Sequence, residues 1–297
     1  MNKGVLYAIG AYLLWGFFPI FWKIIKFVSP YEILCHRIIW SFVFLLIILA
    51  YKKNWKWLKE IFSHKKTLII FTISSLLLAI NWLLFIWAVN SGYVIEASLG
   101  YFINPLFSVF LGVVFLKERP RIWQWIAFGI AGIGVLYLTF VHGSLPWIGL
   151  SLTFTFGIYG FLRKTDPFNS TEGLTMNTMM LFIPAIIFLL FREFSGVGSF
   201  GHIGLKFNFM LILAGVVTSL PLLFFASAAK RIALSSLGIL QYIVPILQFC
   251  VGYFLYKESL DPNKLIGFIF VWIALMIYAA ESIIEKRKIQ FNNTVSK

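Results

Sequence analysis

Long apolar runs dominate this sequence, and each is about as long as the roughly 20 helical residues that cross a bilayer core. Ten such runs lie at 4–25, 32–51, 68–90, 96–116, 121–141, 146–162, 173–191, 207–229, 235–256 and 265–284. The sixth run is the weakest of the ten, because it is short and contains Thr153, Thr155 and Tyr159. Only 12% of the residues are charged, which is too few to cover a water-facing surface. We therefore predict an all-α polytopic membrane protein with ten transmembrane helices.

The distribution of basic residues predicts which ends of these helices face the cytoplasm. Cytoplasmic segments of membrane proteins carry an excess of Lys and Arg. The segment between the second and third runs contains six lysines: Lys52, Lys53, Lys56, Lys59, Lys65 and Lys66. Counting alternately from that segment places 18 basic residues inside and six outside. We therefore expect both termini in the cytoplasm, and this bias explains most of the net charge of +14 without a nucleic-acid partner.

An internal repeat divides the chain into two halves. An offset of 140 residues superposes 81–118 on 221–258 with eight identities, among them Pro105 with Pro245 and a Lys-Glu pair. Five helices per repeat, an odd number, would place the second repeat upside down in the membrane, a recurrent arrangement in secondary transporters. The predicted units are a first five-helix repeat at 1–141, a second, inverted repeat at 142–285 and a basic cytoplasmic tail at 286–297.

Four stretches of the sequence resemble a known permease family. They are NWLLFIWAVNSGYVIEASLGYFINPLFSVFLGVVFLKE at 81–118, EILCHRIIWS at 32–41, LGILQYIVP at 237–245 and YGFLRK at 159–164. Together they are similar to the RarD family of EamA-type permeases, within the drug/metabolite transporter superfamily, from Gly4 to about Glu281. The resemblance implies two inverted EamA-like repeats of five helices around a central cavity, in a bacterial inner (plasma) membrane. It also implies that the first, third, fourth, sixth, eighth and ninth helices form the site.

Polar residues inside the apolar runs are the candidates for a solute site, because such residues usually face the interior of a helix bundle. A tyrosine, a proline and a serine share one face of the fourth helix, and the ninth helix repeats this spacing with two glutamines around a proline. The candidate cavity residues are Asn81, Trp82, Tyr101, Asn104, Ser108, Tyr159, Gln241, Tyr242 and Gln248, and the candidate hinges are Pro19, Pro105 and Pro245. The alternative is that these residues only hold helices together. Other tryptophans, including Trp15 and Trp22, mostly suit the aromatic belts at the membrane interfaces.

Charged residues near the outer ends of the helices suggest a gate. The four candidates for this outer gate are Lys23, Glu32, Arg37 and Glu96. The alternative is that the long basic side chains extend to the lipid headgroups. Basic residues at the inner ends, including Arg163, Lys164, Lys230 and Arg231, are explained by the positive-inside rule.

The sequence favours transport over catalysis. It contains no GxxxxGK[ST] phosphate-binding loop, no HExxH spacing and no close pair of carboxylates within a run. We therefore expect no enzymatic activity, no cofactor and no metal. The favoured function is a secondary carrier or facilitator of small organic metabolites or drugs, which works by alternating access around a midplane cavity between the repeats. The alternatives are a membrane-embedded lipid or isoprenoid enzyme and a non-transporting membrane assembly partner.

The expected partners are a small-molecule solute and membrane lipids. Oligomeric state is left open by the small residues of the fifth run, which are Ala127, Gly129, Ala131, Gly132 and Gly134. Such a surface allows close backbone approach and suits either packing within the repeat or a homodimer contact.

Overall fold

The computed structural model of the protein describes residues 2–53, 55–91, 93–143, 147–256 and 262–295, and its regular structure in these ranges is all helical. Some side chains within the ranges, that of Glu96 among them, lie outside the description. Eight helical segments are long and apolar enough to cross a membrane: Lys3–Ile24, Pro30–Lys52, Lys65–Ala88, Ile122–Val141, Ser170–Phe194, Leu205–Ala229, Leu234–Leu255 and Leu265–Glu285. The predicted all-α polytopic membrane protein is confirmed.

Two of the ten predicted crossings are not among these eight. The described apolar part of the fourth crossing is the shorter helix Gly100–Leu116. The sixth is the 19-residue helix Trp147–Thr165, which carries Arg163 and Lys164 in its last turn. A total of ten crossings therefore stays a prediction.

Thirteen α-helices follow one another along the described chain. They are α1 (Lys3–Gly16), α2 (Phe18–Ile24), α3 (Pro30–Lys52), α4 (Lys56–Ser63), α5 (Lys65–Asn90), α6 (Val94–Leu116), α7 (Ile122–His142), α8 (Trp147–Thr165), α9 (Ser170–Phe194), α10 (Leu205–Ala229), α11 (Leu234–Leu240), α12 (Ile243–Cys250) and α13 (Pro262–Val295). A five-residue π-helical segment, Val251–Leu255, continues α12. Helix α13 extends into the predicted tail.

Two of the candidate hinge prolines lie beside breaks in a crossing. Proline lacks the N–H that would bond back to the preceding helical turn. Pro19 lies in the first turn of α2, just after the break that separates α1 from α2. Pro245 lies in α12, just after the break from α11, where the Val244 N–H donates to the Gln241 carbonyl at 2.9 Å. Pro105, at the equivalent position of the first half, lies inside the continuous helix α6, and a hinge role for any of the three stays a prediction.

Helices from both halves of the chain pack around one central core. Helix α3 packs against α9 and α10, α6 against α8 and α11, α1 against α10 and α12, α5 against α8 and α9, and α7 against α13. Tyr12, Trp82, Tyr159 and Phe225 are buried in the core where α1, α5, α8 and α10 meet. The central core is therefore formed by residues from both halves of the chain.

The small residues of α7 face two different environments. Ala127 and Ala131 are fully buried against α13, and a Cβ added to Gly134 would also meet α13. Gly129 and Gly132 have no heavy atom of the described chain within 4 Å of such a Cβ. Part of this surface therefore packs within the chain, and a homodimer contact through the surface stays a prediction.

The close approach of α3 and α10 depends on Gly215. A Cβ added there would overlap the backbone of Trp40 and Ser41, and the Ser41 hydroxyl donates to the Gly215 carbonyl at 3.1 Å. We expect Gly215→Ala to lower the melting temperature of the purified protein, because overpacking costs about 1–3 kcal/mol. The matched control is Gly132→Ala, which should be neutral or stabilising, because alanine favours a helix over glycine by about 1 kcal/mol. An unchanged or higher melting temperature for Gly215→Ala would contradict the close approach.

Candidate functional site

A cavity with a volume of about 430 Å³ lies among helices from both halves of the chain. Pockets of roughly 300–1,000 Å³ suit small organic molecules. The exposed side chains of Lys23 and Lys26 line one end of the cavity, and the buried Thr218, Leu222 and Gln241 line its deep end. The cavity therefore reaches the protein surface at the two lysines and ends in the interior.

Most of the candidate site residues lie together in this cavity. Those that line it are Asn81, Trp82, Tyr101, Asn104, Gln241 and Gln248, together with Pro19, Lys23 and Arg37. They come from α2, α3, α5, α6, α12 and the break between α11 and α12. Trp15 and Trp22 also line the cavity, although the sequence analysis favoured interface positions for them. The cavity wall is otherwise largely aromatic and aliphatic.

Three candidate cavity residues lie outside the cavity. Ser108 is on the same face of α6 as Tyr101, but two turns further along, where it packs against Gly238 of α11. Tyr242 points away from the cavity, and its buried hydroxyl donates to the Phe102 carbonyl at 3.0 Å. Tyr159 is fully buried in the central core. Helical spacing predicts which face a residue shares, but it does not predict how deep along that face an open cavity extends.

The amide side chains of the cavity are only partly used within the protein. Asn81 donates from Nδ2 to the Leu152 carbonyl and to the Thr155 hydroxyl, both at 2.9 Å, and so ties α5 to α8. Gln248 donates weakly to the Trp15 carbonyl at 3.4 Å. Asn104 is buried, with 4% of the residue exposed, and its Oδ1 atom has no hydrogen-bond partner among the described residues. Asn104 lines the cavity, but this acceptor atom is itself buried and lies close to Gly157 of α8.

Arg37 places a buried positive charge in the wall of the cavity. Its side chain is 6% exposed, and its Nε donates to the Thr218 hydroxyl at 3.0 Å. The guanidinium carbon lies 4.7 Å from the ring centroid of Trp22 and 4.6 Å from that of Trp82. None of the ion pairs formed by the described residues includes Arg37. The position of Arg37 near a helix end predicted a gate, and nothing in the sequence indicated its place beside two tryptophans.

The four residues of the candidate outer gate are not brought together among the described side chains. The Glu32 carboxylate accepts hydrogen bonds from the backbone N–H groups of Ser199 at 2.7 Å and Phe200 at 3.1 Å. Glu32 therefore holds the loop between α9 and α10, whereas Lys23 and Arg37 line the cavity. The side chain of Glu96 lies outside the described residues.

Polar contacts tie helix ends together at the end of the protein opposite the cavity opening. The Glu118 carboxylate, just after α6, accepts from the backbone N–H groups of Leu234 at 2.6 Å and Ser235 at 2.9 Å, and from the Ser235 hydroxyl at 2.6 Å. Lys164, at the end of α8, donates to two carbonyls at the end of α10 and in the turn after it, at 3.1 and 2.6 Å. We term Glu118, Lys164, Leu234 and Ser235 the polar seal.

A second group of charges lies beside the polar seal. The Asp166 carboxylate pairs with Arg163 and accepts from Lys230 Nζ at 3.0 Å. Burial lowers the pKa of Lys230, and the negative charge of Asp166 opposes that shift. The positive-inside rule accounted for Arg163 and Lys230 in the sequence, but it did not indicate that both pair with Asp166. The repeated Lys-Glu pair that ends at Glu118 was the one sequence signal for this region.

Comparisons with known proteins identify relatives over nearly the whole chain. The model of the EamA-like transporter family matches twice, at residues 2–140 and 145–280. Protein RarD of Escherichia coli (strain K12) is 42% identical over 287 residues, which cover 97% of each chain. The uncharacterized transporter YojE of Bacillus subtilis (strain 168) is 42% identical over 293 residues, and the chloramphenicol-sensitive protein RarD of Pseudomonas aeruginosa is 24% identical over 285 residues. These matches cover 96% of both chains for YojE and 95% for the Pseudomonas protein.

A solved crystal structure has a similar fold. It superposes with a TM-score of 0.68 at 14% sequence identity, over 93% of this chain and 98% of that chain. At this level of identity the likeness concerns the fold alone.

Thiol labelling can check the boundary of the cavity. In a background without Cys35 and Cys250, we expect Tyr101→Cys and Gln248→Cys to react readily with small water-soluble thiol reagents, because both positions line the cavity. Tyr242→Cys should react at least roughly tenfold more slowly, because this neighbouring position is fully buried. Similar rates at all three positions, in variants with unchanged melting temperatures, would contradict the observed cavity wall.

Proposed function

We propose, on the premise that this chain belongs to the EamA-like transporter family, that it carries small organic metabolites or drugs across a bacterial inner membrane. The resemblance to RarD permeases that the sequence predicts is confirmed by relatives of that name at 42% identity over nearly the whole chain. The protein is therefore a multi-pass membrane transporter by family. A secondary carrier or facilitator needs no nucleotide-binding loop, and the sequence contains none.

The helix packing supports ten crossings in two inverted repeats, 1–141 and 142–285. The excess of basic residues in alternate segments supports a cytoplasmic position for both termini and for the basic tail at 286–297. If each crossing of the first repeat corresponds to the crossing five places later, each contact should have a counterpart. The contact of α3 with α10 corresponds to that of α9 with α5, and α1 with α10 corresponds to α8 with α5. The contact of α6 with α8 likewise corresponds to that of α12 with α1. This exchange pattern is expected of two similar units related by a twofold axis in the membrane plane.

One observation carries the proposed mechanism: the cavity reaches the surface at one end, and the polar seal joins helices at the other. With the termini in the cytoplasm, the opening at Lys23 faces outward and Glu118 faces inward. The seal joins α6 and α8 to α10 and α11, four of the helices whose other parts line or flank the cavity. Opening the seal while the outer end closes would expose the same cavity to the cytoplasm, which is alternating access.

Uptake into proteoliposomes tests the function. We expect at least one member of a panel of radiolabelled metabolites and antibiotics, chloramphenicol included, to enter faster than in protein-free liposomes. Leu222→Trp should reduce that uptake, because residue 222 lines the cavity and the larger ring fills it. Leu223→Trp is the matched control, because Leu223 is partly exposed, adjoins Leu222 in the sequence and does not line the cavity. Equal uptake by the two folded variants would mean that the solute does not pass through this cavity.

The polar seal predicts how Glu118 controls access from the cytoplasm. We expect Glu118→Gln to raise the labelling of a Ser108→Cys reporter in inside-out vesicles, because Ser108 packs beneath the seal against Gly238. Loss of charge-assisted hydrogen bonds costs about 1.5–3 kcal/mol, which is roughly tenfold or more in the population of the open form.

The control for this measurement is Glu193→Gln. This substitution removes an exposed carboxylate at the C-terminal end of α9 that pairs with His202, away from the polar seal. It should leave the labelling of Ser108→Cys unchanged. Faster labelling in right-side-out vesicles than in inside-out vesicles would mean that the proposed orientation is reversed.

A further inference from the structure

The charged groups that line the cavity are of one sign. Among the described lining residues, the charged side chains are Lys23, Lys26 and Arg37, and all three are basic. The remaining polar groups are amides and hydroxyls, which can bind either donors or acceptors. A cationic solute would meet repulsion here and no described carboxylate. The lining therefore favours a solute that carries negative charge.

Arg37 is the group most dependent on such a solute. Removing a cation from water is costly unless a counter-charge or hydrogen bonds compensate it. Among the described residues, the guanidinium has one hydrogen bond, to Thr218, and contacts with the rings of Trp22 and Trp82. A guanidinium has five N–H donors, so its remaining donors are available to a solute in the cavity. The two tryptophan rings also restrict the movement of the group before any solute binds.

The form of the guanidinium indicates the kind of anion. Its planar array of N–H groups matches the two oxygens of a carboxylate, which it binds through two parallel hydrogen bonds. Apart from its amides and hydroxyls, the cavity wall is largely apolar and aromatic, with Trp15, Phe18, Phe85 and Phe156. Such a wall suits a flat hydrophobic group. An amino acid would fit less well, because its ammonium group would have no described carboxylate in the wall to pair with.

We infer that the solute is an organic carboxylate with a flat apolar body and no ammonium group, and that Arg37 binds its carboxylate. This inference rests on the proposed transport function for its biological meaning, but the binding site can be tested without transport. The exposed Lys23 and Lys26 attract the anion to the opening. Salt screens such exposed charges strongly, whereas it screens the buried Arg37 much less. Affinity therefore depends chiefly on Arg37.

Three probes of one shape and different charge test the inference. Phenylacetate, phenylacetamide and phenethylamine share a benzene ring on a short chain and are anionic, neutral and cationic at pH 7. Equilibrium dialysis of the radiolabelled compounds against the purified wild-type protein should show tightest binding for phenylacetate and weakest for phenethylamine. Equal or tighter binding of the amide or the amine would overturn the inference, and this comparison requires no variant.

Substitutions at Arg37 then locate the site. Arg37→Gln should weaken phenylacetate binding roughly ten- to a hundredfold, the effect of losing hydrogen bonds to a charged group, and should leave phenylacetamide binding nearly unchanged. Arg37→Lys keeps the charge but loses the paired donors, so it should lie between wild type and Arg37→Gln. The control Lys206→Gln, which removes an exposed lysine that does not line the cavity, should have no effect. Melting temperatures identify any variant that has failed to fold, in which case the wild-type comparison decides.

Uptake of the same probes distinguishes failure of the inference from failure of the proposed function. Saturable uptake of phenylacetate above protein-free liposomes, lost in Arg37→Gln, would support both. Uptake of the amide in preference to the acid would leave transport standing and overturn the carboxylate site. Binding of phenylacetate that depends on Arg37, without uptake of any compound in the wider panel, would support the site and contradict transport. The absence of both binding and uptake of phenylacetate would overturn the inference.

Discussion

Backbone hydrogen bonding in a hydrocarbon environment is the constraint on which the rest of this structure depends. Lipid offers no partner to a free N–H or C=O, so the crossing segments are helices that satisfy their own backbone groups. Where a crossing breaks, the freed groups must find partners nearby. The Gln241 carbonyl, beside the break that precedes Pro245, does so through the Val244 N–H and also lies next to the cavity. The break between α11 and α12 therefore lies beside the cavity, where polar side chains are also found.

Composition and helical period were enough to predict the fold class and part of the cavity wall, whereas features that depend on tertiary partners could not be predicted. Apolar runs predicted an all-helical membrane protein, and intramembrane amides such as Asn81 predicted residues that do line the cavity. The period could not show that the polar face of α6 leaves the cavity before Ser108, because depth is set by where α11 packs. It also could not show that Trp22 faces Arg37, because an aromatic residue suits a membrane interface and a cation equally well.

The two matching prolines show how similar sequences can take different shapes within one chain. Pro105 lies in a continuous helix, whereas Pro245 lies just after a break in its crossing. In the proposed mechanism, two repeats held in different conformations make the protein open at one end and closed at the other. An exchange of conformations between the units would reverse that asymmetry without a new fold. The contacts that such an exchange would preserve are the corresponding ones, α3 with α10 and α9 with α5 among them.

The charge of Arg37, which forms no ion pair with the described residues, has an electrical consequence. An empty cavity carries one positive charge from this side chain, and that charge is cancelled when a monoanion binds beside it. A membrane potential acts on a charge that moves across the bilayer with about 2.3 kcal/mol per 100 mV. If α3, which carries Arg37, moves across the membrane field, the voltage changes the rate at which the empty carrier returns. It hardly changes the rate at which the loaded carrier moves, because the bound anion cancels the charge. The cell interior, being negative, would then draw the empty site inward and make the membrane potential a determinant of the rate at which it reloads.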